Sequence, residues 1–347
     1  MPSLTRHWIA LLTALLVCSC STMSFYRQAI SGQMELSRKS RPNAEVLADP
    51  AVAAEVKRKL LLIEELRAFA ARELHLPTKS FGKYCDLKRP YVVWVVFASP
   101  EFSVEAKTWW YPLVGSLKYR GFFAEKDAQR EGERLRKQGL DVFVGGVDAY
   151  STLGYLRDPV LNTFLHRSDA DLAELVFHEL THAKVFIPGD TDFNEAFATA
   201  NAEHGVRRWY RSKGDLNGLR AYEASLKKGR EVISLLLRTR EKLKDVYAST
   251  YRSIETERLI KLHAFKTMLH EAEQLRTKAG HSRYEQVAAQ QWNNARLNTV
   301  ATYYTMVPGF ERLLKLHGDD LEAFYREVAA MRKLDNAARM KILGAPR

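Results

Sequence analysis

Two histidines and two glutamates within residues 173–208 have a spacing that fits the chemistry of a metal site. His178 and His182 flank Glu179 in the pattern His-Glu-Leu-Thr-His. Glu195 follows thirteen residues after His182. Residues i and i+4 lie on the same face of a helix, so both imidazoles can bind a single zinc ion. Glu179 lies one position further round the same turn, where a carboxylate can take a proton from water without binding the metal.

The surrounding sequence predicts two helices joined by a short turn. Ser168 is a suitable N-cap for the first helix, whose first turns are acidic, and Pro188-Gly189 closes the segment. A second helix is expected to begin near Thr191 or Asp192 and to carry Glu195 in its first turn or so. Glu195 then completes a His, His, Glu site with one position left for water, as in catalytic rather than structural zinc sites.

Other interpretations of these residues stay open. Glu203 and His204 lie on the second predicted helix and are alternative ligands, and Glu203 can instead orient a ligand by a hydrogen bond. His178 and His182 can also be polar residues of a partly buried helix face, with Glu195 a solvated charge. The bare pattern is short enough to arise by chance, so the predicted helices around it carry much of the inference.

The same segment resembles a bacterial family of zinc aminopeptidases, which are predicted lipoproteins and gluzincin-like H-E-x-x-H metallopeptidases. The resemblance spans most of the mature chain and lies in these segments: SGQ at residues 31–33, RPNAEVLADP, YVVWVVFASPEFSVEAK, GGVDAYSTLGYLRDPVL, FHELTH, FNEAFAT and WNNARLNTVATYYTMVPGF. It implies a gluzincin-type fold, in which His178, His182 and Glu195 bind zinc and Glu179 is catalytic. It also implies that extended peptide substrate pairs with the main chain at residues 150–154, where a simple tight turn is the alternative.

Tyrosines late in the chain are candidates for a further catalytic role. A metallopeptidase needs a donor beside the carbonyl oxygen that becomes negative, and a tyrosine or histidine usually supplies it. Tyr303 and Tyr304 are the candidates, with Tyr150 and Tyr155 as competitors, although each can equally be a core tyrosine. An aminopeptidase also needs an anion that holds the substrate ammonium. Three acids in the resembling segments are candidates for it: Glu101, Glu105 and Asp148.

The first twenty residues are typical of a secretion signal. Their apolar run, residues 8–17, is too short to span a bilayer. It ends in Ser19-Cys20, which resembles a lipobox, and Cys18 is the less suitable cysteine. We therefore expect cleavage before Cys20 and a lipid anchor on it, with a plain signal peptide or an uncleaved anchor as the alternative. The expected location is the cell envelope, at the periplasmic face of the outer membrane.

Cysteine content and charge limit the remaining possibilities. Cys85 is the one cysteine left outside the signal and anchor, so an internal disulfide is excluded and a buried small residue is expected. The formal net charge of +12 favours anionic neighbours, which in the envelope are lipid headgroups, lipopolysaccharide and peptidoglycan. The sequence has no nucleic-acid-binding motif, and nucleic acid is not an expected partner. The oligomeric state stays open.

Hydrophobic patterning predicts an α+β protein that is predominantly helical, with a gluzincin-like core, a small sheet and a long helical C-terminal region. Four segments are expected: a lipoprotein signal peptide at 1–19, an N-terminal helical segment at 20–80, a metallopeptidase core at 81–213 and a helical C-terminal region at 214–347. Strands are predicted at 91–97 and 140–147, and helices at 26–38, 50–74, 126–138, 216–279 (as a hairpin or arm) and 318–333. Connections are predicted at 42–49 and 77–90, and the last dozen residues are expected to fray.

The predicted function is hydrolysis of peptide bonds by metal-activated water, by a zinc peptidase and most simply an aminopeptidase. Two other classes stay open. One is a zinc endopeptidase or amidase that acts on envelope proteins or peptidoglycan peptides. The other is a non-catalytic lipoprotein that binds a partner through its basic helical region, although an intact Glu179 argues against it because a structural zinc does not use that carboxylate.

Overall fold

The computed structural model describes residues 25–111, 115–152, 156–249, 253–279, 291–318 and 320–344. Helices dominate, which confirms the predicted α+β, mainly helical class. The helices are α1 (residues 25–39), α2 (Asn43–Ala48), α3 (Ala54–Glu73), α4 (Glu125–Arg136), α5 (Asp169–His182), α6 (Thr191–Ser212), α7 (Leu216–Tyr247), α8 (Ile254–Ala279), α9 (Asn294–Tyr304), α10 (Val307–Leu316), α11 (Leu321–Ala330) and α12 (Asn336–Leu343). The strands are β1 (Ser40–Pro42), β2 (Lys83–Cys85), β3 (Val93–Pro100), β4 (Trp109–Tyr111), β5 (Gly115–Leu117), β6 (Arg120–Phe122), β7 (Leu140–Val147) and β8 (Val160–Leu161).

The main sheet contains three antiparallel strands in the order β6-β3-β7. Strand β3 lies in the centre and pairs with the whole of β7, from Val93 opposite Val147 to Pro100 opposite Leu140. The β-branched and aromatic residues of β3 suit this largely buried position. Helix α4 packs on the sheet, where its apolar face adds to a core that includes Val96 and Val142. The other described strands form two smaller sheets, β1-β2-β8 and β4-β5.

Helices α5 and α6 form the centre of the largest hydrophobic core. Helix α3 packs against α5, while α9 and α10 pack against α6. Because helix α6 is covered in this way, every residue from Phe193 to Val206 is buried. Gly205 lets the helices approach closely, since a Cβ there would lie 2.7 Å from Leu74 and 2.9 Å from Phe177. The core draws on residues from Leu36 to Leu343, so it joins the N-terminal and C-terminal segments in one unit.

The long helical C-terminal region is confirmed. Helices α7 and α8 pack against each other and form a second core, in which Val232 and Leu236 of α7 lie with Phe265 and Met268 of α8. Helix α9 joins this core through Leu297. It also contacts α6 and the main sheet, so it links the helical region to the centre of the molecule.

Three predictions near the N-terminus are wrong in detail. The predicted connection at 42–49 contains α2, because the buried Asn43 donates its side-chain amide to Glu64 and to the carbonyl of Phe81. The predicted helix at 50–74 begins only at Ala54, since Asp49 accepts a hydrogen bond from the Ala51 amide and forms a turn there. The predicted connection at 77–90 contains the short strand β2.

The C-terminal predictions also need correction. The helix predicted at 318–333 is α11, which Asp320 caps and which a short 3₁₀ turn, Met331–Lys333, extends. Helix α10 precedes it, and the last dozen residues include α12 instead of fraying. Helix α12 is ordered because Arg339 is buried against Asp190. A helix of eight residues is too short for its hydrophobic periodicity to stand out from the polar and charged residues around it, so the sequence did not predict α12.

Cys85 is a buried free thiol, as predicted. The predicted signal peptide and the Cys20 anchor lie outside the described residues. Among the helices that the structure describes, none combines the length and the apolar composition needed to cross a membrane.

Candidate metal centre

Helix α5 carries the first three candidate residues, and its start is fixed by the residues that its sequence predicts. The Ser168 hydroxyl accepts the Asp171 amide at 3.2 Å, which confirms the predicted N-cap. Asp169 lies in the first turn and pairs with the buried Lys59 of α3 at 2.7 Å and with Arg58 at 2.9 Å. Helix α5 ends at His182, so both histidines lie in its last turns.

The turn between α5 and α6 is held by side chains of α6 itself. Asp190 caps the helix by accepting the amide of Phe193 at 3.2 Å. The side-chain amide of Asn194 accepts from the Ile187 N–H and donates to its carbonyl, both at 2.8 Å. Thr181 of α5 accepts a hydrogen bond from Asn201 of α6 at 2.7 Å. These bonds fix the rotation of α6 relative to α5 and therefore the direction of Glu195, one position after Asn194.

The structure brings the three predicted ligands together. The Nε2 atoms of His178 and His182 are 3.2 Å apart. Oε2 of Glu195 lies 3.2 Å from Nε2 of His178 and 3.7 Å from Nε2 of His182. A tetrahedral ion with ligand distances of about 2.0–2.1 Å would hold its ligand atoms about 3.3 Å apart. In the described part of the chain these residues form the one such cluster, and the donor set fits a metal ion.

Burial and mutual contact set the protonation of this group. Burial lowers the pKa of His182 to about 4, so its imidazole is neutral and keeps a lone pair for a metal. Burial opposes ionisation of Glu195, but the adjacent His182 and the hydrogen bond with His178 keep its pKa below the ordinary value. The same bond with Glu195 raises the pKa of His178 against the effect of burial. The pair therefore favours the carboxylate form of Glu195.

Glu179 lies beside the cluster without belonging to it. Burial raises the pKa of its carboxyl to about 7, with a further contribution from the charge of Glu195. Ser151 forms a hydrogen bond with Glu179. The loop that carries Ser151 is itself fixed, since the amide and hydroxyl of Thr152 donate to Asp158 at 2.9 and 2.8 Å. The sequence predicted substrate binding at residues 150–154, but it did not predict the contact of Ser151 with Glu179 or the role of Asp158, because both depend on a contact between a loop and a helix.

Tyr303 of α9 interacts with two of the three predicted ligands. Its ring stacks on His178, with centroids 6.3 Å apart and an interplanar angle of 27°. Its hydroxyl contributes to the lowered pKa of the Glu195 carboxyl. The charge of Glu195 and burial raise the pKa of Tyr303 well above its ordinary value, so the phenol stays a donor. Tyr304, the neighbouring candidate, lies against the main hydrophobic core.

Tyr119 is a second phenol near the cluster, and sequence analysis did not select it. It lies between β5 and β6, and its ring contacts Phe97 with centroids 5.5 Å apart. Burial raises the pKa of Tyr119, and the charges of Glu195 and Glu179 raise it further. Its neighbour Lys118 pairs with Asp192 of α6. A lysine and an aspartate are too common in the sequence for this pairing to be predicted.

The alternative ligands are engaged elsewhere. Glu203 is buried, and its carboxylate pairs with Arg230 at 2.8 Å and Arg207 at 3.3 Å, so it does not reach the cluster. His204 is also buried but is not a member of the cluster. Tyr150 packs on Phe123 with centroids 5.3 Å apart.

The predicted substrate strand and the predicted ammonium-binding acids do not appear as expected. Residues 150–152 are irregular, and residues 153–155, including Tyr155, lie outside the described part of the chain. Arg258 binds Glu101 through two hydrogen bonds of 2.7 and 3.0 Å. Arg167 binds Asp148 in the same way at 2.8 and 2.9 Å. Glu105 is exposed. These arginines lie far from their partners in sequence, so the pairs were not predictable from local pattern.

Fold and site together define a mainly helical α+β protein with a buried His-His-Glu group that can hold a metal ion. A family model described as "Putative aminopeptidase" matches residues 24–343, nearly the whole chain. The chain therefore belongs to this family, which confirms the resemblance seen in its sequence and indicates a peptidase, that is, a hydrolase. No curated protein and no solved structure matches the chain.

Proposed function

We propose that this chain is a zinc-dependent aminopeptidase of the bacterial cell envelope. The observation that carries the proposal is the convergence of two imidazoles and one carboxylate on two buried helices, with the carboxyl of Glu179 beside them. Membership of an aminopeptidase family supports a peptide as the substrate. In the metal centres of catalytic zinc proteins, three protein ligands of this kind leave one position open.

His178, His182 and Glu195 would hold the ion. Two imidazoles and a carboxylate are a donor set that favours zinc over the harder magnesium and calcium ions. When bound, the ion would polarise a peptide carbonyl and make water easier to deprotonate. Tyr303 supports this role from outside the ligand set, because its ring stacks on His178 and its hydroxyl favours the carboxylate form of Glu195.

Glu179 supplies the proton transfers that peptide hydrolysis needs. It accepts one proton from the attacking water, whose oxygen forms the new bond to the carbonyl carbon. It then returns that proton to the amide nitrogen as the carbon–nitrogen bond breaks, so the products are a carboxylic acid and an amine. A carboxyl group whose pKa is about 7 is suited to both transfers near neutral pH.

A zinc endopeptidase or amidase is the second candidate, and one observation favours it. An aminopeptidase needs a free acid for the substrate ammonium, yet two of the three candidates, Glu101 and Asp148, are each bound by two hydrogen bonds from an arginine, and the third, Glu105, is exposed. An enzyme that cleaves within a chain or at a peptidoglycan stem peptide needs no such acid.

The test of the function is hydrolysis of matched free and N-acetylated peptides by the zinc-loaded chain. Free peptides should be cleaved, and Glu179→Gln should lower the rate by about 10²–10⁴-fold while metal content is unchanged. Glu133→Gln, at an exposed position of α4, is the control and should have no effect. Equal cleavage of both peptides would favour the endopeptidase. A Glu179→Gln variant that keeps its activity would contradict the proposed role.

Attachment to the membrane through a lipid on Cys20 is also part of the proposal. It is supported by the apolar run and the Ser19-Cys20 sequence that follows it. Cys20→Ser should move the full-length protein from the membrane fraction to the soluble fraction, whereas Cys18→Ser should not. Membrane association that survives Cys20→Ser would contradict a lipid anchor at this residue.

A further inference from the structure

Helix α1 carries an apolar stripe that no described part of the protein covers. Tyr26, Ile30 and Met34 lie at successive turns of the helix and are 38%, 60% and 55% exposed. Positions i, i+4 and i+8 share one side of a helix, so the three side chains are neighbours. Arg27 and Arg38 are exposed on the same side. We call the side of α1 that presents these five residues its outer face.

The opposite side of α1 is fixed to the protein, which sets the direction of the outer face. The side-chain amide of Gln28 donates to the carbonyl of Gly121 at 3.3 Å and accepts the N–H of Phe123 at 3.0 Å. Gly32 lets the helix approach closely, since a Cβ there would meet the ring of Phe123. Leu36 is buried in the main hydrophobic core. The apolar stripe is therefore held outwards and cannot turn into the core.

The exposed residues of α1 are apolar, basic or serine, and none is acidic. Arg27 and Arg38 have no ion-pair partner in the part of the chain that the structure describes. The one acid among residues 25–39, Glu35, is partly buried and pairs with Lys39 at 2.7 Å and with Arg89 at 3.1 Å. An apolar stripe beside cations without partners fits a bilayer that has anionic headgroups.

The predicted lipid anchor lies close to the start of this helix in the sequence. Cys20 precedes Phe25 by five residues, which span at most about 18 Å when fully extended. An exposed indole lies at the same end of α1, since Trp110 adjoins Tyr111, whose ring packs on Phe25 with centroids 5.6 Å apart. Tryptophan is enriched where proteins meet the membrane–water interface. A lipid on Cys20 would thus hold the first turn of α1 close to the bilayer.

We propose that the outer face of α1 docks on the surface of a bilayer that contains anionic phospholipid. The choice of partner rests on the proposed lipid anchor at Cys20, whereas the inference is independent of the proposed peptidase activity. A lipid anchor alone leaves a protein free to rotate on its tether. Docking through α1 sets one side of the protein against the bilayer and so fixes the orientation of the metal centre relative to the membrane.

Helix α8 provides a matched comparison, because it also exposes apolar side chains. Leu259 and Leu262 are exposed there, but the two basic residues beside them, Arg258 and Lys261, are each bound to an acid. Their charge is already compensated within the protein, unlike that of Arg27. We therefore expect α8 to stay in solvent when α1 docks.

Vesicle binding by the mature chain from Ser21 tests the outer face without the lipid. This chain contains every residue of the described fold and lacks Cys20, so failure of the lipid anchor does not affect the measurement. The vesicles hold about three parts phosphatidylethanolamine to one part phosphatidylglycerol, and sedimentation at millimolar lipid separates bound from free protein.

Two double variants compare the two helices at equal change in charge. Ile30→Glu combined with Met34→Glu should weaken vesicle binding by at least about 10-fold, because it places carboxylates in the apolar stripe. Leu259→Glu combined with Leu262→Glu should bind as the wild type does. Both should melt at the wild-type temperature, since all four side chains are exposed.

The charge of the outer face is tested separately. Arg38→Ala should weaken binding by about fivefold, the effect expected of one basic residue near an anionic bilayer. This difference should shrink in about 0.5 M salt, which screens the charges. Vesicles of phosphatidylcholine alone should bind the wild type more weakly than those with phosphatidylglycerol.

Wild-type affinity in the α1 double variant would overturn the inference, as would an equal loss in the α8 double variant. A wild-type chain that binds neither kind of vesicle, or both equally, would also overturn it. Self-association that the α1 double variant abolishes, without vesicle binding, would assign the outer face to a second copy of the chain instead. Cys20→Ser tests the anchor and peptide hydrolysis tests the enzyme, so these failures can be told apart from failure of the docking face.

Discussion

Nε of Arg339 lies 2.7 Å from Oδ2 of Asp190, and both side chains are buried. Asp190 is also the N-cap of α6, the helix that carries Glu195. Asn336 donates a second hydrogen bond to the same carboxylate oxygen at 3.1 Å. The last helix of the chain, α12, therefore helps to fix the start of the helix that presents the third candidate ligand.

We predict that Arg339→Ala destabilises the protein strongly. Removing one partner of a buried ion pair leaves the other charge unpaired and costs about 3–5 kcal/mol. Lys341→Ala, at an exposed position of the same helix, is the control and should change stability by no more than about 0.5 kcal/mol. Urea denaturation measures both. A loss below about 1 kcal/mol in Arg339→Ala would show that the pair does not hold α12.

A pH dependence of stability is expected from Asp169. Hydrogen bonds from Arg58 and Lys59 lower the pKa of Asp169 to about 2. The unfolded chain, with its aspartate pKa near about 3.9, binds the proton more tightly, so the contribution is fully present above about pH 4. It is lost as the pH falls from about 4 through about 2. Since the Asp169 side chain is 43% exposed, solvent screening keeps the contribution small.

Asp169→Asn tests this assignment. The variant should be less stable than the wild type at pH 6, and the difference should shrink towards zero as the pH approaches about 2. Urea midpoints measured at several pH values give the comparison. A difference that is independent of pH would mean that the carboxylate charge is not the source of the stabilisation.

Gly115→Ala should disturb the packing of the β4-β5 hairpin on the turn between α5 and α6. A left-handed backbone conformation costs a non-glycine residue about 1–2 kcal/mol. Gly139 also has a positive φ, of +79°, but no atom lies within 4 Å of the position of its Cβ, so Gly139→Ala carries the backbone cost alone. In Gly115→Ala the new methyl group also meets the backbone of Gly189.

Both glycine variants should therefore lose stability, but only Gly115→Ala should also bind zinc more weakly, because Gly189 lies in the turn between the two ligand-bearing helices. Thermal melts and calorimetry on the two variants give the comparison. Equal zinc affinity in both variants would mean that the contact between Gly115 and Gly189 does not position the site.

Removal of the metal from the His178, His182 and Glu195 cluster should lower the stability of the protein. A ligand that binds the folded state alone adds about 2.7 kcal/mol at a concentration of about 100 times its Kd. We expect the wild-type Tm to rise with added zinc and to fall with a chelator, while the Tm of His182→Ala responds to neither. A zinc-dependent Tm in His182→Ala would place the bound metal elsewhere.

The predictions from sequence succeeded where the determinants are local. The i, i+4 spacing of His178 and His182 needs only a helix, and Ser168 marks the start of that helix in the sequence itself. Strand β7 was predicted at its observed bounds because β-branched and aromatic residues lie between clear turn residues. Glu195 required one further assumption, that a short turn returns the chain alongside α5.

The predictions failed where a contact joins distant segments. Lys118 pairs with Asp192 and Gly115 packs on Gly189, and neither contact leaves a local pattern in the sequence. Likewise, Asp148 is an unremarkable acid in the sequence, and its pairing with Arg167 is set by the packing of the loop after β7. The segments that resemble the family include Asp148 but not Gly115 or Lys118, and the resemblance assigned none of these contacts.

The most direct test of the central claim is the metal content of the chain that begins at Ser21, measured by mass spectrometry beside His182→Ala and Glu195→Ala. We predict about one zinc per wild-type chain, lost or sharply weakened in both variants, because each removes one of three converging ligands. Lys184→Ala, two residues after His182, should retain its zinc. Full zinc content in His182→Ala or Glu195→Ala, or none in the wild type after zinc is added back, would contradict the His-His-Glu metal centre.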